Sequence, residues 1–94
     1  MIKMEIVNNV AAATGMQKKD VENVVNGVLN EIETSLSNGE NVYLRGLGTF
    51  KIVVRAKHIA QNIRKRTSVV IPAHKVINFL PSRDLTNNVS QLKI

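Results

Sequence analysis

The chain has 94 residues, enough for one domain, and its 13 basic and seven acidic side chains give a formal net charge of +6. The absence of cysteine excludes disulfides, thiolate metal sites and cysteine nucleophiles. No apolar run approaches the roughly 20 residues that cross a bilayer, and residues 1–4 carry no signal-peptide core, so we expect a cytosolic protein without a membrane partner.

The charge is divided sharply along the chain. Residues 1–44 hold three lysines against six acids, a net charge of −3, whereas residues 45–94 hold ten basic residues against one acid, Asp84, a net charge of +9. From Arg45 to Arg83 there is no acidic residue. Because solvated surfaces usually intersperse both signs, this stretch favours a polyanionic partner, nucleic acid first and an anionic membrane second, over a charge that serves only solubility.

The first 38 residues have the 3.6-residue periodicity of two amphipathic helices. The first helix is expected to end at Thr14-Gly15, and Gly39 is a natural cap for the second. Gly27 lies inside the second helix, where glycine lowers helix propensity by ~1 kcal/mol and is compatible with a close helix crossing. Both apolar stripes are expected to form core: Ile2, Ile6, Val7, Val10 and Ala11 in the first helix, and Val21, Val24, Val25, Val28, Leu29, Ile32 and Leu36 in the second.

From Asn41 the period changes to two, which predicts strands with one apolar and one largely cationic face around a Gly46-Leu47-Gly48 turn. A second extended stretch over about 68–80 is interrupted by Pro72. Residues 55–73 are expected to form a long hairpin arm, although its turn lacks the usual glycine. Since a lone two-stranded ribbon is marginal in water, the arm is expected to become ordered against a polyanion.

Ser82 is expected to cap a short final helix, with Asp84 in its first turn. The sequence therefore predicts an α+β fold in a single domain over residues 1–94. Its parts are a helical base over 1–40, a sheet and arm over 41–81 with the arm at about 55–73, and a C-terminal helix at about 82–91. Because a domain of this size buries little surface alone, a partner subunit is expected.

An ordered series of residues resembles the HU/IHF family of bacterial histone-like, nucleoid-associated DNA-binding proteins. The resemblance covers nearly the whole chain and includes Gly46-Leu47-Gly48-Thr49-Phe50, Arg55, Asn62, Ile71-Pro72-Ala73 and Phe79. It implies an intertwined homodimer, with a heterodimer left open, that has a three-stranded antiparallel sheet and two arms. It also implies that the arms lie in the minor groove of duplex DNA and that the protein bends and compacts DNA with little sequence specificity, without a cofactor or catalysis.

The same resemblance implies which residues contact DNA. Arg45 and Arg83 match family positions on the body that reach flanking DNA. Gly46 and Gly48 either permit close approach of the DNA backbone or only form a tight turn. The candidate contacts of the arm are Arg55, Lys57, Gln61, Asn62, Ile63, Arg64, Lys65, Arg66 and Lys75.

Ile63 departs from the family pattern, in which a proline follows Arg-Asn and acts as a wedge between base pairs. Here the run is Gln61-Asn62-Ile63. Isoleucine is also apolar, so Ile63 is the candidate intercalating residue; the alternative is that it packs on its own hairpin. The Thr-Gly that usually follows is missing as well, which leaves the bend angle open.

Other functions are less well supported by the residues. His58 and His74 lack a neighbouring acid or thiolate and make a poor metal site, and a nuclease would need clustered carboxylates. Binding of single strands usually depends on aromatic platforms, and the chain has only three aromatic residues. The alternatives left open are a sequence-preferring IHF-like bending factor, a structural RNA-binding protein and a module that recognises an acidic protein.

Overall fold

The computed structural model describes residues 1–62, 64 and 66–94, and only the backbone of Asn62. Within these residues the helices are α1 (Lys3–Thr14), α2 (Lys18–Ser37) and α3 (Arg83–Ser90), and the strands are β1 (Val42–Leu44), β2 (Gly48–Arg55), β3 (His58–Asn62), β4 (Thr67–Ile71) and β5 (His74–Pro81). Strands β1, β2 and β5 form an antiparallel sheet in that order, and β3 pairs with β4 as a separate hairpin. The predicted α+β fold with a three-stranded sheet, a hairpin arm and a short last helix is confirmed.

The two long helices end as their glycines predict. Gly15 has a left-handed φ of 75° and its N–H donates to the carbonyl oxygen of Ala11, and Gly39 has a φ of 85°. Val7, Ala11 and Val21 are the buried hydrophobic residues of the described chain, and they join α1 to α2. In the described part of the chain, none of the helices is both long and apolar enough to span a bilayer.

The three-stranded sheet has two chemically different faces, because side chains alternate along a strand and directly paired residues share a face. The pairs Phe50–Phe79 and Ile52–Ile77 lie on the face that α2 approaches, since Ile52 and Ile77 line one hollow with Leu36. We call this the helix-side face: Val42, Leu44, Phe50, Ile52, Val54, Lys75, Ile77 and Phe79. The opposite, outer face consists of Tyr43, Thr49, Lys51, Val53, Arg55, His74, Val76, Asn78 and Leu80.

Two short connections separate the hairpin arm from the sheet. The β2–β5 ladder stops at Arg55 paired with His74, and the β3–β4 ladder begins at His58 paired with Ile71. Residues 56–57 and 72–73 lie between the ladders, and Pro72 suits this break because it has no N–H to donate. The extended stretch predicted over about 68–80 is therefore two strands.

At the tip of the arm, where the sequence has no glycine, Arg66 adopts the left-handed conformation, with a φ of 50°. Glycine takes this conformation freely, whereas other residues lose roughly 1–2 kcal/mol in it. An arginine thus occupies a backbone conformation at the tip that glycine usually takes.

The single chain exposes more surface than a compact monomer does. Its accessible area is 8190 Å², compared with roughly 5,400 Å² expected for a folded protein of 10.4 kDa. Its radius of gyration is 18.9 Å, compared with about 12 Å for a compact domain of this length. Val28 on α2 and Val54 and Ile77 on the helix-side face are 51%, 68% and 59% exposed. The apolar layer between helices and sheet is therefore incomplete within one chain.

Candidate nucleic-acid interface

The outer face of the sheet carries cations and hydrogen-bond donors. Lys51 and Arg55 lie on the same side of β2, with Asn78 opposite Lys51 and His74 opposite Arg55. All four side chains are exposed. Because the sequence from Arg45 to Arg83 contains no carboxylate, this face presents positive charge that no acid of its own strands neutralises, which suits phosphate binding.

Lys51 is a candidate contact that the sequence-based site left out. The two-residue alternation of β2 places it on the face of Arg55, two side chains nearer the body. That alternation was the signal that could have identified it. The family resemblance directed attention to the arm and the turn instead.

Lys75, predicted to contact DNA together with Arg55, lies on the opposite face of the sheet from Arg55. Its Cα pairs with Val54, which places it on the helix-side face, where it lines a hollow of about 440 Å³ with Leu36 and Ile77. The reason is register: Arg55 pairs with His74, so the next residue along β5 points to the other face. Contact between Lys75 and DNA stays a prediction.

Ser82 attaches the start of α3 to the turn between β1 and β2. Its hydroxyl donates to the carbonyl oxygen of Gly46 at 2.9 Å and accepts from the N–H of Leu85 at 3.1 Å, as expected of an N-cap. Its own N–H donates to the carbonyl oxygen of Leu47 at 2.9 Å. The exposed Arg45 and Arg83 flank this junction, so the two arginines predicted on the body lie at the same end of the sheet.

The two glycines of the turn have different structural reasons. Gly46 has a φ of 88°, and within the described chain a Cβ there would meet nothing within 4 Å. Glycine is therefore favoured at this position by the backbone conformation and not by a lack of space. Gly48 is buried, and a Cβ there would lie 2.5 Å from the carbonyl oxygen of Leu80 and 2.7 Å from Cζ of Phe79. The structure therefore supports a packing role for Gly48, while its contact with DNA stays a prediction.

The arm has an uncharged shaft. Strands β3 and β4 have the sequences HIAQN and TSVVI and contain no lysine or arginine. On one side, Ile59 pairs with Val70 and Gln61 pairs with Ser68. Ile59 and Val70 are 67% and 54% exposed, so the shaft offers an apolar surface near the root and polar groups nearer the tip.

The cations of the arm lie at its two ends. Lys57 is exposed in the connection at the root, and Arg64 and Arg66 are exposed at the tip. The backbone of Asn62 ends β3 opposite Thr67. The predictions for two further tip residues, including the candidate wedge, lie outside the described residues: Ile63 and Lys65.

The two histidines are not cross-strand partners, because His74 pairs with Arg55 and His58 pairs with Ile71. Both are exposed at the root of the arm. In the residues that the structure describes, no group of three or more metal-ligating side chains occurs.

Comparison with known proteins places this architecture in a family. Residues 1–90 match the sequence profile of the family described as "Bacterial DNA-binding protein". The chain belongs to this family. The DNA-binding protein HU of Thermus thermophilus is 35% identical over 89 residues, which cover 95% of this chain and 92% of that relative. Integration host factor subunit beta of Histophilus somni is 31% identical over 91 residues, covering 96% and 97%.

A solved structure agrees with the sequence comparison. The chain is similar to that in an Anabaena HU–DNA cocrystal structure, with a TM-score of 0.87 and 28% identity over 98% of this chain and 100% of that one. The match to the bacterial DNA-binding family extends from α1 to the end of α3. The Thermus relative is named a DNA-binding protein, and the similar Anabaena structure is that of an HU–DNA complex.

Proposed function

We propose that the chain forms a homodimer that binds duplex DNA with little sequence preference, bends and compacts it in the bacterial nucleoid, and catalyses no reaction. The arms enter the minor groove, and the outer faces of the two sheets contact phosphates of the same DNA segment.

The incomplete apolar layer supports the dimer. A hollow of about 510 Å³ lies between α2 and β1 and is lined mainly by apolar side chains, including Val24, Ile32 and Leu44. The chain exposes roughly 2,800 Å² more than a compact monomer of its mass. If half of this excess belongs to the arm, two chains would bury roughly 2,800 Å² together, an area typical of obligate dimers.

One observation carries the DNA-binding proposal: charge of one sign is confined to one part of the fold. The acids of residues 1–44 lie on or beside the helices, whereas the outer face and the arm contain only basic charged residues. A surface of this kind attracts a polyanion over its whole length. The similar proteins that are named as DNA-binding or were solved with DNA indicate that this polyanion is duplex DNA.

Arg66 adds independent support for an ionic role at the tip. It occupies the left-handed position where glycine would be free of strain. An arginine there lowers the stability of the free hairpin by roughly 1–2 kcal/mol relative to a residue that prefers this conformation. A positive charge that binds phosphate offsets that loss in the complex.

The dependence of affinity on salt tests the proposal. If each dimer neutralises on the order of eight phosphates, its affinity for duplex DNA falls by roughly 10³-fold or more between 50 and 200 mM salt. Duplexes of unrelated sequence should compete equally, and duplex RNA should compete poorly. A flat salt response would contradict the proposal, a strong preference for one sequence would favour an IHF-like factor, and better competition by RNA would favour the RNA-binding alternative.

A matched pair of lysines tests the outer face. Lys51→Ala removes a cation from the outer face, whereas Lys19→Ala removes one from the exposed surface of α2. We expect Lys51→Ala to lower the salt slope by about one per chain, and Lys19→Ala to leave it nearly unchanged. Equal effects of the two variants would mean that only the net charge matters and would contradict the proposed surface.

The arm is tested by replacing its cationic tip. The combined change of Arg64, Lys65 and Arg66 to alanine should weaken binding to all duplex sequences by a similar factor, because phosphate contacts carry no sequence information. Loss confined to one sequence would contradict nonspecific binding. The affinity is measured by titration with labelled duplexes of different composition.

The wedge is tested separately from the affinity. Ile63→Ala should reduce the bend angle, measured by fluorescence transfer between the DNA ends, more than it reduces affinity, because insertion between base pairs mainly drives the kink. An unchanged bend angle would contradict the role of Ile63 as a wedge and would leave the phosphate-binding proposal intact.

A further inference from the structure

The junction between sheet and arm carries the same contact on both strands. Nδ1 of His74 lies 2.9 Å from the carbonyl oxygen of Pro72, and Nδ1 of His58 lies 3.3 Å from that of Ala56. In each case the acceptor is two residues earlier, in the connection between the two ladders. Each histidine is the first residue of its strand, and its ring contacts the backbone of the connection that precedes the strand.

These contacts determine which ring nitrogen can take up a proton. A carbonyl oxygen only accepts hydrogen bonds, so Nδ1 must carry the hydrogen in each contact. In the neutral ring the other nitrogen, Nε2, is then unprotonated. Protonation at Nε2 creates a positive charge and keeps the contact to the carbonyl oxygen. The junction can therefore gain charge without changing its backbone hydrogen bonds.

The charged residues that neighbour the two histidines in the strands and connections are all basic. Arg55 lies opposite His74 on β2, Lys57 precedes His58 in the connection, and Lys75 follows His74 on β5 but points to the other face. Strands β3 and β4 contribute no charged residue, and the sequence from Arg45 to Arg83 contains no acid. These strands therefore supply no anion to the two rings, whereas a bound phosphate would supply one.

We propose that His58 and His74 are additional phosphate-contacting residues at the root of the arm, and that they take up protons as the DNA complex forms. This inference rests on the proposed function. Both rings are exposed, and His74 lies on the outer face beside Arg55. Proton uptake on binding makes affinity increase as the pH falls, since a ligand and a proton that favour the same state strengthen each other.

The expected effect is measurable because a dimer has four such rings. Imidazole changes its charge between about pH 5 and 8. If the four rings together take up on average about half a proton on binding over this range, the affinity for duplex DNA falls about tenfold between pH 6 and 8 at constant salt. Calorimetry in two buffers with different ionisation enthalpies gives the number of protons directly, without reference to the affinity.

Two double variants separate charge from structure. Asparagine can place an amide N–H where Nδ1–H lies but does not protonate, so His58→Asn with His74→Asn should bind at pH 6 as the wild type does at pH 8. Lysine is charged throughout, so His58→Lys with His74→Lys should bind tightly at both pH values. All other titratable groups are retained in both variants.

The outcomes distinguish this inference from the proposed function. A wild type that binds DNA with less than a twofold change between pH 6 and 8, or an asparagine variant that keeps the full pH dependence, would overturn the role of the histidines alone. A wild type that fails to bind duplex DNA at pH 6 in 50 mM salt would overturn the proposed function as well.

Discussion

Gly48→Ala is the change whose effect the structure specifies most closely. The new Cβ would lie 2.5 Å from the carbonyl oxygen of Leu80 and 2.7 and 2.9 Å from two ring carbons of Phe79. Overpacking of this kind lowers the free energy of unfolding by roughly 1–3 kcal/mol. The φ of 157° adds a conformational penalty of roughly 1–3 kcal/mol for a residue with a side chain. We therefore expect a total loss of about 2–6 kcal/mol.

Gly46→Ala is the matched control for Gly48→Ala. Gly46 also has a positive φ, of 88°, but a Cβ there meets nothing within 4 Å in the described chain. Its loss should therefore be only the conformational part, roughly 1–2 kcal/mol. A difference between the two variants of more than about 1 kcal/mol is larger than the difference between their conformational penalties and reports the contact with Phe79 and Leu80.

Denaturant unfolding at one fixed protein concentration provides the assay, because the stability of a dimer depends on concentration. Phe79→Leu combined with Gly48→Ala should show a favourable coupling of about 1 kcal/mol, since the shorter side chain removes two of the three close contacts. If Gly48→Ala destabilises no more than Gly46→Ala, the packing role is wrong. If folded Gly48→Ala protein loses affinity for DNA while its stability is unchanged, Gly48 acts at the DNA instead.

Three further predictions test the dimer, the junction and the arm. Val28→Asp should raise the dissociation constant of the dimer more than about 100-fold in sedimentation experiments, because a half-exposed apolar residue becomes an unpaired charge in the proposed interface. Asn30→Asp on the same helix is the control. Equal effects of the two variants on the dissociation constant would contradict the interface. Ser82→Ala should lower the free energy of unfolding by about 1–2 kcal/mol, since it removes the cap of α3 and the bond to Gly46, whereas Ser90→Ala should change it by less than about 0.5 kcal/mol. Arg66→Gly and Arg66→Ala remove the same charge, so both should lower the salt slope of DNA binding equally. Only the glycine variant should increase the population of the folded hairpin, which is measured from amide chemical shifts. Equal hairpin populations in the two variants would refute the strain at Arg66.

The helices and the sheet could be predicted because their signals are local. Glycines at 15 and 39 and the serine at 82 end or begin helices by hydrogen bonds to residues within four positions, so a single sequence contains both partners. The alternation of β2 likewise reveals its two faces. The interruption at Pro72 was predicted, whereas the matching connection at 56–57 was not, because a break in a ladder depends on which residues of two strands face each other.

Strand register also decides which cations of the candidate site share a face. Lys75 was expected among the arm contacts together with Arg55, and a pairing offset of one residue puts the two on opposite faces of the sheet. Lys51 was omitted although its own strand identifies its face. Residue type therefore indicated the class of partner, whereas register decides which cations can meet it. The histidine contacts with Ala56 and Pro72 could not be foreseen, since they lie at the break between the two ladders.

The separation of charge along the arm predicts that the uncharged shaft and the cationic ends contribute differently to DNA binding. Lys57 lies at one end of the uncharged shaft, and Arg64 and Arg66 lie at the other. The five residues of β3 span roughly 17 Å, about half of a helical turn of DNA. Cations that meet phosphates determine how affinity varies with salt, whereas apolar contacts with the groove do not depend on salt.

Replacing Ile59 and Val70 together by alanine tests this division, because the two side chains form an exposed cross-strand pair on the shaft. The affinity extrapolated to 1 M salt should fall by about tenfold or more per dimer, as expected when several methyl groups no longer become buried on binding. The slope against salt should remain that of the wild type, in contrast to Lys51→Ala, which changes the slope. A change in slope with an unaltered extrapolated affinity would mean that the shaft lies outside the groove and acts only by positioning the cations at its ends.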